Sequence, residues 1–214
     1  HMDTSDSIPL EETLEALGEL VKQGKVRQIG LSNETPWGTM KYLELAETKS
    51  LPRVASIQNA YNLVNRGFEI GLSEVAMHEQ VGLLAYSPLA QGTLTGKYLG
   101  GQMPQGSRLA LFGDGPLMMR YKGDKTQQAI EMYVNLAKKY EIDPAQLAIQ
   151  FCNIQPFVTS TIIGATTMEQ LKTCIDSVDL DITKEIINEI RSIHKEIPNP
   201  CLLYTSDAAD EELR

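Results

Sequence analysis

The chain has 214 residues, 42% of them hydrophobic and 22% charged, with a formal charge of −9 at pH 7. That balance belongs to a folded globular chain of one domain, or one and a fraction at about 150 residues per domain, and it excludes wholesale disorder. The negative excess opposes a nucleic-acid backbone or an anionic membrane, and the longest apolar runs, such as Val81 to Tyr86, fall far short of the roughly 20 residues a bilayer span needs.

The chain opens on His1. It is either a cloning scar ahead of Met2 or a native residue at which a gene fragment begins, and there is no secretory leader pattern. Residues 9–23 carry Leu10, Leu14, Leu17 and Val21 as one apolar stripe, with Pro9 in the first turn and Gly24 just past the end, so a helix is predicted. Val26 to Leu31 reads as a short strand. Thr35-Pro36 caps a helix through about Thr48, with Trp37, Met40 and Leu43 on one face. A second strand follows at Arg53 to Gln58, then a helix on Phe68, Leu72, Val75 and Ala76. Gly82 to Tyr86 is a third strand, apolar throughout, as for a strand buried on both faces. Residues 87–124 are dense in Gly and Pro and read as one long irregular loop. Helix resumes with Ile130, Tyr133, Val134 and Ala137, and Asp143-Pro144 caps another. Val158 to Ile163 is a fourth strand. Thr167 and Gln170 form a capping-box pattern opening a helix with Met168, Leu171, Ile175 and Val178. A last helix carries Ile186, Ile190, Ile193 and Ile197. Residues 1–200 read as the folded body. After Pro198-Asn199-Pro200, residues 201–214 are expected to be a non-native disordered tail, since the string resembles a translated sequencing adaptor; the alternative is a disordered acidic tail of the protein itself.

Regular β/α alternation gives a parallel sheet. Four strands cannot close a barrel of eight, so the chain is either a small open sheet or half of a (β/α)8 barrel. In either case the chemistry is expected at the carboxyl ends of the strands. Ser32-Asn33 follow the first strand and Gln58-Asn59 end the second; their amide and hydroxyl groups can hold a carboxamide. Tyr86, ending the third, offers a flat face for stacking. Gly164-Ala165-Thr166-Thr167, after the fourth, opens a capped helix, a ready anion site. Lys97 and Arg108 in the long loop supply positive charge for phosphates. Each feature alone is ordinary: a turn, a rim aromatic, a helix cap. Together they describe a nicotinamide dinucleotide.

GKVRQIGLSN, AYSPLAQGTLTGKY and STIIGATTMEQL resemble the second half of an aldo-keto reductase, over about residues 1–196. The resemblance implies the C-terminal half of a (β/α)8 barrel, four parallel strands plus helices, and an enzyme that reduces aldehydes or ketones to alcohols with NADPH. It implies that Ser32, Asn33 and Gln58 bind the nicotinamide carboxamide and that Tyr86 stacks on the ring. Ser87, Pro88, Leu89, Gln91 and Gly92 would line the pyrophosphate, Lys97 would pair with phosphate, and Ser107-Arg108 would belong to the loop closing over the cofactor. Gly164, Ala165, Thr166 and Gln170 would lie at the adenosine 2′-phosphate. Where family members often carry a carboxylate or amide pair against adenine, this chain has Thr173 and Cys174, which weakens the case for NADPH over NADH. The family's acid tyrosine, with its lysine and aspartate, belongs to earlier strands and is not in this chain. His1 stands in nearly the register of the family's substrate-orienting histidine and is the one catalytic candidate; His78 and His194 read as solvated surface residues.

The expected partner is a small carbonyl compound, with neither nucleic acid nor membrane. Cys152, Cys174 and Cys201 are scattered without CxxC spacing, which points to a reducing compartment, the cytoplasm. No metal site has ligand spacing. The competing expectation is a regulatory or binding protein on the same fold, like potassium-channel β subunits. With two unpaired sheet edges and an open inner face, marginal solubility is expected.

Overall fold

Local signals set most of the elements. Helix α1 (Leu10–Lys22) starts behind extended Pro9, with Glu11 and Glu12 in its first turn and Lys22 in its last, in favourable order for the helix dipole. Strand β1 (Ile29–Ser32) leads to helix α2 (Pro36–Thr48), where Thr35 accepts from the Gly38 amide and Pro36 stands at the first helical position. Strand β2 (Val54–Ala60), helix α3 (Leu72–Glu79) and strand β3 (Gly82–Tyr86) follow. Then come two short helices, α4 (Arg108–Phe112) and α5 (Pro116–Met119). Helix α6 (Asp124–Lys139) precedes α7 (Pro144–Asn153), which is capped by Asp143. Strand β4 (Val158–Thr161) comes next, then α8 (Met168–Asp176) and α9 (Lys184–Glu196), capped by Thr167 and Thr183. This is a computed structural model, and it describes residues 8–113 and 115–201. His1 and residues 202–214 lie outside them.

The chain divides into two units. The first comprises the described part of residues 1–60 with Phe68–Tyr86 and Gln155–Ile162. Its sheet is wholly parallel, in the order β1-β2-β3-β4. Four parallel strands with intervening helices are half the complement of a (β/α)8 barrel. Leu31, Ile57 and Leu83 pair laterally and are buried, on the face that α2 and α3 cover. Each such side chain contributes about 1.5–3 kcal/mol of apolar burial. The next row, Ser32, Gln58, Leu84 and Ser160, points to the opposite face, and all four stay half-buried or exposed.

The second unit comprises Tyr61–Gly67, Ser87–Ile154 and the described part of residues 163–214. Here α7 packs against α6 and α8, and α6 against α9. Its core includes Leu94, Ile130, Leu147, Ile149 and Ile190, with Tyr61 stacked on Phe151 at 5.7 Å.

Several expectations are corrected. Strand β3 alternates, with Leu83 and Ala85 buried but Leu84 and Tyr86 half-buried, because helices cover one face of this sheet. On α2 the buried residues are Tyr42, Leu43, Leu45 and Ala46, while Trp37 is 71% exposed and Met40 is exposed as well. On α8 Cys174 is the buried residue, and Met168 and Ile175 face solvent, as does Val178 just beyond. The stretch 87–124 holds two short helices and 3-10 turns rather than one loop. His194 is half-buried, whereas His78 is exposed. Cys201, assigned to the tail, is buried and its thiol donates to the Val64 carbonyl at 2.9 Å. Asn199 and Pro200 accept from the Arg66 amide (2.6 Å) and the Thr126 hydroxyl (2.9 Å). Among the described residues, Asn199, Pro200 and Cys201 are thus bonded to the rest of the second unit.

Candidate functional site

In the first unit the strand ends bring four of the expected residues together. Ser32 is the register partner of Gln58. The next residue, Asn33, turns into the left-handed region at φ +56° while its amide donates to the Gln58 carbonyl at 3.0 Å. The Tyr86 hydroxyl donates to Asn33 Oδ1 at 2.8 Å. Asparagine enters that conformation more readily than most residues, which suits the position. All four side chains are half-buried. The Ser32 hydroxyl, the Gln58 amide and Asn33 Nδ2 make no hydrogen bond among the described residues. The strand ends thus offer a flat aromatic ring beside a set of unengaged donors and acceptors.

In the second unit the chain continues from Ser87 through a turn of unusual backbone. Ser87, Ala90, Gln91, Gly92 and Gly96 all have positive φ, between 48° and 93°. Each such non-glycine residue costs about 1–2 kcal/mol against its right-handed form, so the turn is held by its surroundings. Asn62, fully buried, donates from Nδ2 to the Ser87 carbonyl (2.9 Å) and accepts from the Val64 amide (3.1 Å). Gln91 Nε2 donates to Ser87 Oγ at 3.0 Å. Pro88 is buried and Leu89 half-buried. A Cβ on Gly92 would stand 3.0 Å from Lys97 Cε and Nζ, so the lysine folds back over bare backbone. The Ala90 and Gly92 amides donate within the turn, to the Ser87 (2.9 Å) and Leu89 (2.8 Å) carbonyls, so the Lys97 ammonium is the group this turn offers to anionic oxygens.

Arg108 is exposed at the first position of α4, where Ser107 caps the helix by accepting from the Ala110 amide at 3.3 Å. The Leu109 amide donates to the Tyr98 hydroxyl at 3.4 Å, tying this helix start to the residue after Lys97. Gly164, Ala165, Thr166 and Gln170 are all exposed. Thr167 caps α8 by accepting from the Gln170 amide at 3.2 Å. Gln170 Oε1 in turn accepts from the Thr166 amide (3.0 Å) and hydroxyl (3.1 Å). The capping box therefore closes one residue earlier than the pattern predicts.

Sequence reasoning passed over Glu34 and Asn62. Glu34 is a buried carboxylate, and Asn59 Nδ2 donates to its backbone carbonyl at 3.4 Å. Asn62 carried a signal: it is a lone amide inside the apolar run Tyr61 to Val64. Among the described residues no cluster of His, Cys and carboxylates could hold a metal ion, and no helix is long and apolar enough to cross a membrane.

The chain matches the model of the Aldo/keto reductase family over residues 2–195. It is 50% identical over 193 residues to Protein tas of Escherichia coli (strain K12), across 90% of this chain and 55% of that protein. It is 40% identical over 201 residues to an aldo-keto reductase of Babesia bovis, across 91% of this chain and 70% of the relative. To L-glyceraldehyde 3-phosphate reductase of Escherichia coli (strain K12) it is 33% identical over 177 residues, across 81% of this chain and 51% of the relative. The chain spans about half the length of the first and third of these proteins.

Proposed function

This chain belongs to the aldo/keto reductase family, and we propose that it is the cofactor-gripping part of an enzyme that reduces aldehydes or ketones to alcohols with NADPH. The observation that carries the reading is the convergence of Ser32, Asn33, Gln58 and Tyr86 at the strand ends, with polar groups left unengaged. A carboxamide needs one acceptor and two donors met in a plane, and a serine hydroxyl with two amides meets that need. Tyr86 presents its ring beside them, as a stacking residue must.

The turn from Ser87 to Lys97 is assigned to a pyrophosphate, because the Lys97 ammonium stands 3.0 Å from where a Cβ on Gly92 would be, over the bare face of the glycine. Gly164 to Thr166, with Gln170, are assigned to the ribose 2′-phosphate, and Arg108 to the loop over the cofactor. When bound, NADPH supplies the hydride. The residues of this chain bind and orient: they hold the carboxamide so that one ring face is turned to the substrate, and they neutralise the phosphates. Proton donation to the carbonyl oxygen is assigned to a tyrosine, with its lysine and aspartate, outside these 214 residues. His1 is assigned to substrate orientation. The substrate is a small carbonyl compound, with no nucleic acid or membrane partner. The three free cysteines, all buried thiols, favour a reducing cytoplasm.

The test is calorimetric titration of the purified chain with NADPH and NADH, followed by an assay with 4-nitrobenzaldehyde. Saturable NADPH binding without turnover is expected. No binding to either nucleotide overturns the cofactor reading. Turnover above buffer overturns the assignment of the acid group to residues outside the chain. In the full-length protein, binding without turnover would instead favour a regulatory role.

A further inference from the structure

A lysine side chain is a flexible four-carbon stem carrying a compact charge, so its own chemistry does not aim the ammonium. Among the described residues, hydrogen bonds fix Lys97 by its backbone alone. The Lys97 amide donates to Thr95 Oγ1 at 3.4 Å, and the Thr95 hydroxyl donates to the Gly92 carbonyl at 2.8 Å. The aim comes from the next residue. The Lys97 ammonium stands over the Tyr98 ring, 5.1 Å from its centroid, within the range of a cation–π contact. A Cβ on Gly92 would stand 3.0 Å from Lys97 Nζ and 3.7 Å from Tyr98 Cε2, so the glycine leaves room for the stem and the ring together. Tyr98 is itself held: it is 7% exposed, and its hydroxyl accepts from the Leu109 amide at 3.4 Å. That amide follows Arg108 in the first turn of α4. One buried side chain thus meets the cation of the turn with its face and the start of α4 with its hydroxyl.

Resting on the cofactor reading, we propose that Tyr98 is a positioning residue with two separable parts: its ring aims the Lys97 ammonium at the ligand's phosphate oxygens, and its hydroxyl tethers the start of α4, with Arg108, to the same point. Both cations that the cofactor reading assigns to this segment are thereby set by one side chain.

The test begins without ligand. Protons above an aromatic face resonate upfield. The Lys97 ε-methylene signals, assigned through Lys97→Arg, are therefore expected upfield of those of the other lysines, to stay there in Tyr98→Phe and to move back in Tyr98→Leu. Signals in the ordinary lysine range in the wild-type chain overturn the ring's part, a result that does not depend on whether Tyr98→Leu folds. The Leu109 amide is expected to exchange with deuterium about two- to tenfold faster in Tyr98→Phe; an unchanged rate overturns the hydroxyl's part. NADPH titration then reads the consequence. Measured against Tyr98→Phe, which keeps the ring, Tyr98→Leu is expected to bind about two- to tenfold more weakly. In a Lys97→Met background that difference disappears, because it runs through the lysine. A difference that persists there makes Tyr98 a part of the scaffold alone, and the proposal falls. If the wild-type chain binds no NADPH, the cofactor reading fails, while the Lys97 and Leu109 signals still decide whether Tyr98 holds these two groups.

Discussion

The strand ends of the first unit and the turn from Ser87 to Lys97 in the second present polar groups by different means. At Ser32, Gln58 and Tyr86, sheet register does the placing: Ser32 and Gln58 are lateral neighbours, and Tyr86, two residues past Leu84, the partner of Gln58, points to the same face, so the side chains converge without strain except at Asn33. In the turn no ladder exists. Lys97 is the group presented, over a backbone that stands in left-handed conformations braced by Asn62 and Gln91. A regular element places side chains as a by-product of its own hydrogen bonds, whereas an irregular one must be held in shape by groups that do nothing else.

The contrast breaks most visibly under core substitution. Leu83 is fully buried, with Ile57 as its lateral partner on one side and Val158 on the other. Leu83→Ala is expected to cost about 2–5 kcal/mol in urea denaturation, through lost transfer energy and an unfilled cavity, and to abolish NADPH binding with the sheet. Gly92→Ala, at φ +93°, is expected to cost only about 1–2 kcal/mol. If both cost the same, the turn is as much a part of the scaffold as the sheet is.

A smaller effect sharpens the same contrast by its salt dependence. Lys97→Met removes a half-buried cation; if Lys97 meets a phosphate as proposed, loss of a charge-assisted contact of about 1.5–3 kcal/mol is expected to weaken NADPH roughly ten- to hundredfold. Part of that loss should disappear at high salt, where the wild-type affinity itself falls. Ser32→Ala removes a neutral hydrogen bond, so a loss of about two- to tenfold is expected, unchanged by salt. A salt-sensitive Ser32→Ala effect would mean that the strand-end cluster meets charge and not a carboxamide.

Much of this was legible in the sequence, and the illegible parts have physical causes. Periodicity with caps located α1, α7 and α9, because backbone amides donating to the Asp143 and Thr183 side chains mark the starts of the last two. The placement of Ser32, Asn33, Gln58 and Tyr86 at the strand ends was legible because regular β/α alternation implies a parallel sheet. What failed was the choice of buried face. Helix α2 carries apolar residues on more than half its circumference, so periodicity could not decide between Trp37-Met40 and Tyr42-Leu45; packing against β2 and α3 decided it. On α8 the stripe of Met168, Ile175 and Val178 was correctly apolar, but α7 covers a different side. Glu34 was unreadable because a carboxylate is ordinarily a surface group, and only the empty space at Gly38 reveals that it is buried.

The smallest expected effect lies at the start of α8, where the contrast is tested on an exposed capped helix. Gln170 Oε1 engages both the amide and the hydroxyl of Thr166, in competition with water. Gln170→Ala is therefore expected to change stability by no more than about 0.5 kcal/mol. Its effect on selectivity is the informative part. If Thr166 is the group that meets the 2′-phosphate, Gln170 holds the same donors a phosphate would use, and removing it raises the ratio of NADPH to NADH affinity. If that ratio falls instead, Gln170 itself makes the contact and Thr166 serves only to position it. Titration of the variant with both nucleotides distinguishes the two, and it does so whether or not Thr173 and Cys174 weaken the hold on adenine, because both nucleotides carry the same adenine.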